Sequence, residues 1–238
     1  SYERERTIDE ENAFASLVEG DATLAMVGHM IQQQGRPLSS LTRNSALLRM
    51  LIRNGPDAIR GQEIESAPPI VRLPLVSRYL DGLVYCAALH GRRGWNGVDA
   101  AHRHLPASTE QILHPERYLA ARRDDPIAVS PPPADALGRG WRPLGCDTLG
   151  EWGMRQTLAR FVARRDAARA AAGWGGDRYR VYRRERDGAL AMVLESVWDD
   201  EDEAREAQRR WREVREPGYR WEVRRAGRAL TVRRLPLE

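Results

Sequence analysis

Ala15-Ser16-Leu17-Val18-Glu19-Gly20-Asp21-Ala22-Thr23-Leu24 is the stretch around which the chain organises itself. At helical spacing Phe14, Val18, Asp21 and Ala25 fall on one stripe, and Ala15, Glu19, Ala22 and Met26 on its neighbour. Two carboxylates thus sit among apolar or small residues. A buried ionised carboxylate requires a cation, several hydrogen-bond donors or a metal, and otherwise takes up a proton. Thr7-Ile8-Asp9-Glu10 reads as a capping box, and Gly35 with Pro37 as a stop, so the stretch lies inside one long helix to about Gln34. Gly20 and Gly28 within it allow other backbone to come close, at a cost in helix propensity.

Outward from there, helical spacing predicts a second helix over Leu41–Arg53, with Leu47, Leu48 and Leu51 inward, and a connector at Ser66-Ala67-Pro68-Pro69. An amphipathic helix follows over Leu75–His90, closed by Gly91. Asn96 opens a short helix to His104, Ser108 caps another with Gln111 three residues on, and His114-Pro115 breaks it. Residues 122–140 read as a loop with a short strand at Ile127–Val129, and helices follow over Leu149–Ala163 and Asp166–Ala172. After Gly176 the period changes to two: a hairpin turns at Asp187-Gly188, a helix starts at Asp199 or Asp200, and a second hairpin turns at Ala226-Gly227. The fold class expected is α+β: a mainly helical core, residues 1–172, followed by a small β-β-α-β-β subdomain, residues 173–238.

Composition bounds the function. The chain has 238 residues, 42% of them hydrophobic, which suffices for a sizeable core, and no apolar run long enough for a transmembrane segment. All 38 basic residues are Arg. Residues 151–238 hold 21 Arg against 16 acids, but these alternate with Glu and Asp, the pattern of a solvated, self-paired surface, so no nucleic-acid partner is expected. Cys86 and Cys146 are too few and too far apart for a zinc ribbon or redox pair. No phosphate-binding Gly-rich loop and no Gly-x-Ser-x-Gly elbow occurs.

Leu17-Val18-Glu19-Gly20-Asp21-Ala22-Thr23 resembles a segment of bacterial and haloarchaeal secreted proteins that are similar to zinc metallopeptidases. The likeness continues at Gly94-Trp95, at Ser108-Thr109-Glu110-Gln111-Ile112-Leu113-His114-Pro115-Glu116-Arg117-Tyr118, at Leu149-Gly150-Glu151 and at Gly173-Trp174-Gly175-Gly176-Asp177-Arg178. In that family a His-Glu-x-x-His helix precedes the Glu-Gly-Asp-Ala segment. The resemblance implies Glu19 as the third metal ligand, Asp21 as a group orienting a histidine, and an exported location. His114, Glu110 and Glu151 are cleft candidates, with two alternatives open: His114 locks the bend by hydrogen bonding, and Glu151 receives an Arg.

No His-Glu-x-x-His occurs in these residues, and Ser1 stands about where that helix would have ended. Zinc is therefore expected only with an N-terminal segment not in this chain. The expected partner is a cleaved N-terminal fragment or another protein covering the face of Ala15, Glu19, Ala22 and Met26. Two readings stay open: the C-terminal portion of a peptide-hydrolysing zinc protein, or a metal-free interaction or assembly module that keeps the fold. His102-x-His104 is a weak chelate, since at this spacing the two rings point to different faces.

Overall fold

A computed structural model describes residues 6–43, 48 and 69–237. The chain is α+β, with a helical N-terminal part and a five-stranded antiparallel sheet with helices in the C-terminal part. It forms two compact units, Glu10–Asp125 and Ser1–Asp9 with Pro126–Glu238. Most of the helix expected over Leu41–Arg53, and the connector before Pro69, lie outside the described residues.

In the helical unit, α1 spans Ile8–Gln33, α2 Ser39–Thr42, α3 Pro69–Arg93, α4 Trp95–Arg103, α5 Thr109–Leu113 and α6 Pro115–Leu119. The buried stripe of α1 is neither of those expected. It is Ala13, Leu17, Gly20 and Leu24, with Val27 and Ile31 packed at its edge, against Tyr85, Cys86 and Leu89 of α3 in one core. The reason is backbone proximity. A Cβ on Gly20 would stand 2.2 Å from the Gly82 carbonyl carbon, and one on Gly82 would stand 2.1 Å from the Ser16 oxygen. Only paired glycines let α1 and α3 cross so closely, and Leu17 and Leu24 lie on the same side as Gly20.

α3 also differs at both ends. It starts at Pro69, where a missing N–H costs nothing, and carries Pro74 near its beginning. Gly91 does not stop it; a Cβ there would come within 2.6 Å of the Thr42 oxygen, so this glycine serves the approach of α2. The chain leaves the helix at Gly94, whose φ of +61° suits glycine. Ser108 caps α5 as expected, its hydroxyl accepting the Gln111 N–H at 3.4 Å.

In the second unit, β1 (Trp141–Asp147), β2 (Trp174–Arg184), β3 (Leu190–Trp198), β4 (Tyr219–Ala226) and β5 (Ala229–Pro236) form a sheet in the order β1-β2-β3-β5-β4. Helices α7 (Gly150–Leu158), α8 (Arg164–Ala171) and α9 (Glu201–Glu213) supply its core through Met154, Leu158, Ala167, Ala204, Ala207 and Trp211. Trp174, Trp198 and Trp211 are fully buried, and Trp211 stacks on Trp221. Asp200 caps α9, its carboxylate accepting the N–H groups of Asp202 and Glu203 at 2.8 and 2.9 Å. Acids then crowd the first turn and Arg210 and Arg212 the last, as the helix dipole favours.

Both hairpins and the charged helix stand where the pattern places them, but the sheet starts earlier. β1 is an edge strand with a bulge between Pro143 and Gly145, and its pairing with β2 brings residues 141–171 into the sheet unit, ahead of the expected boundary at 172. Ile127–Val129 form no strand; Ile127 donates one N–H to the Gly175 oxygen at 2.7 Å. Gly176 permits that approach, since a Cβ there would stand 2.2 Å from the Ile127 oxygen. Among the described residues no helix is long and apolar enough to cross a membrane.

Two outcomes follow from this packing. Gly20→Ala and Gly82→Ala should each cost about 1–3 kcal/mol in chemical denaturation, as overpacking against fixed backbone does, while the exposed Ala25→Ser stays near wild type. Asp177, nearly fully buried, takes N–H bonds from Leu149, Gly150 and the Trp174 ring at 3.0, 2.9 and 2.8 Å. Burial nevertheless pushes its carboxyl up to about 6, above its unfolded value. The stability linked to this group is then full below about pH 4 and lost as pH rises through about 6. From pH 4 to 7 the difference in unfolding free energy between wild type and Asp177→Asn should shift against the wild type by up to about 3 kcal/mol.

Candidate functional site

Side chains two apart on a helix point about 200° apart, and this separates the two carboxylates of α1. Glu19 lies at the flank of the Gly20 crossing, beside the Tyr79 hydroxyl of α3, which donates to its carboxylate and is raised above its ordinary pKa. Asp21 turns the other way and meets His102 of α4, its Oδ2 lying 3.0 Å from Nε2. Asp21 is half-exposed rather than buried, with 34% of its side chain accessible. Glu19 and Asp21 are thus carried to different neighbours.

The face of Ala15, Glu19, Ala22 and Met26 lies opposite the buried stripe of α1. Ala15 and Glu19 are half-buried, and Ala22 is exposed. Val18, Met26 and Met30, also on this side of the helix, are 41%, 58% and 55% exposed. The result is an open strip of apolar side chains with one anchored carboxylate. Among the described residues no arginine or histidine pairs with Glu19.

The remaining candidates are dispersed. Glu110, 2% exposed, is held by Arg117 at 3.1 Å, and Arg117 also reaches Asp124 at 2.6 Å. Gln111 ties down the same loop through the Asp124 oxygen and the Asp125 carboxylate. The specific run Ser108–Tyr118 is therefore a brace in which a buried acid is neutralised at home. His114 stands at the break before α6, 3.5 Å from Glu116, and is partly exposed. Glu151 belongs to the sheet unit, buried in the first turn of α7. His104 is exposed, and its backbone oxygen accepts the Tyr118 hydroxyl at 2.6 Å. Cys86 is buried, with its thiol pushed up by desolvation, and Cys146 is exposed; both are free.

Among the described residues no three of His, Cys, Asp and Glu gather as a metal site. Zinc in such proteins is held by two imidazoles and a carboxylate, and Glu19 alone does not fit that donor set. Tyr79 is the residue that spacing misassigns: it repeats with Leu75, Val76 and Leu83 as a core position, and only the crossing of α1 over α3 reveals it as the partner of Glu19.

Residues 142–236, from β1 to β5, match a family model described as a domain of unknown function, DUF8575. No curated protein and no solved structure matches the chain.

Removing the brace cation should be costly. Arg117→Met leaves the Glu110 carboxylate buried and uncompensated, and we expect a loss of about 2–4 kcal/mol in urea unfolding, less than for a fully buried pair because Arg117 reaches solvent. Asp124→Asn, which alters an exposed contact of the same arginine, should cost less than about 1 kcal/mol.

Proposed function

We propose that the helical unit is an assembly module, which presents the outer face of α1 to a second polypeptide segment and offers Glu19 to it. The observation that carries this reading is the strip of Val18, Ala22, Met26 and Met30 beside the Tyr79-anchored carboxylate of Glu19. Covering such side chains is worth about 25 cal/mol per Å² of apolar area, and methionine adapts to varied partners. Where the covering segment carries His-Glu-x-x-His, the completed unit has the donors of a glutamate-type zinc peptidase, with Glu19 as third ligand, and its activity is peptide-bond hydrolysis at an exported location. Where it carries none, the assembly is metal-free. His114, half-exposed, is a candidate for the substrate side of such an assembly, while Glu110 is committed to Arg117.

The test is recovery of the protein from its native source, followed by intact mass and elemental analysis. The expected result is a second polypeptide bound non-covalently, with zinc present only if that polypeptide supplies histidines. Met26→Arg should release it, whereas Glu19→Gln should leave it bound and reduce any zinc content. The 238-residue chain by itself should hold no stoichiometric zinc. A chain recovered alone, with Met26→Arg indistinguishable from wild type, would overturn the assembly reading.

A further inference from the structure

The five-stranded sheet carries arginines on both of its faces. Tyr179, Met192, Leu194, Val232 and Val223 join the core beneath the helices. Because side chains alternate, the residues between them point to the other face. The register sets them in rows: Arg180, Val193, Arg233 and Glu222 in one, and Arg178, Glu195, Thr231 and Arg224 in the next.

On the helix side two arginines are firmly neutralised. Arg210 pairs with Glu206 at 3.1 Å and Glu213 at 3.0 Å, and Arg234 grips Glu216 with two bonds of 2.7 and 2.8 Å. On the other face Arg220 pairs with Glu222 at 3.5 Å and Arg184 with Asp187 at 2.8 Å, while among the described residues Arg178, Arg180, Arg224 and Arg233 make no ion pair. Arg180 donates to the Pro132 oxygen at 2.7 Å, and Arg178 to the Thr148 hydroxyl at 3.4 Å. The Arg233 Nε is buried without a hydrogen-bond partner, and Arg224 is exposed. Of the acids in the rows, Glu195 is engaged by the Thr231 hydroxyl at 2.8 Å and Glu222, the cross-strand partner of Arg233, by Arg220. A guanidinium with unused donors in partly desolvated surroundings is a strong site for a carboxylate.

We propose that this face binds a carboxylate-rich polypeptide segment, with Arg224 and Arg233 as its anchors and Arg180 and Arg178 extending the contact across the sheet. Spacing supports a polypeptide. Arg224 and Arg233 are diagonal neighbours on adjacent strands, about 7–8 Å apart at the backbone. In an extended peptide, alternate side chains on one side repeat at about 7 Å. A nucleic acid fits less well: Glu195 and Glu222 interrupt the positive rows, and Tyr182, the aromatic residue of β2 on this face, is fully buried with its hydroxyl bonded to the Pro133 oxygen at 2.6 Å. A single strand of nucleic acid needs exposed rings on which to stack.

The experiment measures fluorescence anisotropy of a labelled dodecapeptide of alternating Glu and Ser with the full chain, beside an oligothymidine of equal length. The expected result is peptide binding that weakens with added salt and exceeds oligonucleotide binding. Arg224→Glu should weaken it about tenfold or more, as should Arg233→Gln. Arg212→Glu, an equal charge change on the exposed side of α9, should leave it within about twofold. Arg224 is exposed, so its variant reports on binding even if Arg233→Gln fails to fold. Absence of peptide binding, equal loss in Arg212→Glu and Arg224→Glu, or tighter binding of the oligonucleotide would overturn the proposal.

Discussion

The contact on which the helical unit depends is the approach of α1 to α3 at Gly20 and Gly82. Two helices that meet backbone to backbone have no rotational freedom left at that point. Once Gly20 faces Gly82, Leu17 and Leu24 must face the core and Glu19 must face away from it. The position of Tyr79, three residues before Gly82 on α3, then brings its hydroxyl to Glu19. One glycine pair thus fixes which side of α1 is core, which side is open, and which carboxylate is presented. The Glu-Gly-Asp-Ala segment is in this sense a packing device.

Charge is organised on a second principle, the distance between an acid and the nearest guanidinium. Glu110 is buried because Arg117 is beside it, and Glu216 stays ionised below the usual carboxylate range because Arg234 is. Glu206 gathers Arg169, Arg209 and Arg210 around one side of α9. Arg178, Arg180, Arg224 and Arg233 of the other sheet face lie outside these local neutralisations. A composition in which acids and bases nearly balance therefore conceals a strongly uneven surface.

Much of the fold is legible in the residues, because end signals are local. Ser108, Asp200, His114-Pro115, Asp187-Gly188 and Ala226-Gly227 each carry their own geometric reason and stand where that reason places them. What spacing misreads depends on distant backbone. Gly91 looks like a stop and is instead a site of contact with α2, whereas the close backbone approach read at Gly20 is found, against α3. The stripe of α1 is misread for the same reason, since Val18 and Met26 are as apolar as Leu17 and Leu24, and only the glycine crossing chooses between them. β1 is hidden because an edge strand with Pro143 and Gly145 needs no apolar alternation. Of the candidate site, the pairing of Asp21 with His102 is not legible, because it depends on where α4 packs, whereas the divergence of Glu19 and Asp21 follows from helix geometry once the buried face is known.

The claim that α1 has one closed and one open face is tested most directly by methionine oxidation with dilute hydrogen peroxide, followed residue by residue by mass spectrometry. Met26 and Met30 stand on the open face, while Met154 is fully buried beneath the sheet and serves as the internal reference. The account predicts that, in the isolated chain, Met26 and Met30 oxidise at close to the rate of free methionine while Met154 is protected until unfolding. Protection of Met26 equal to that of Met154 in the isolated chain would show the face closed and contradict the account.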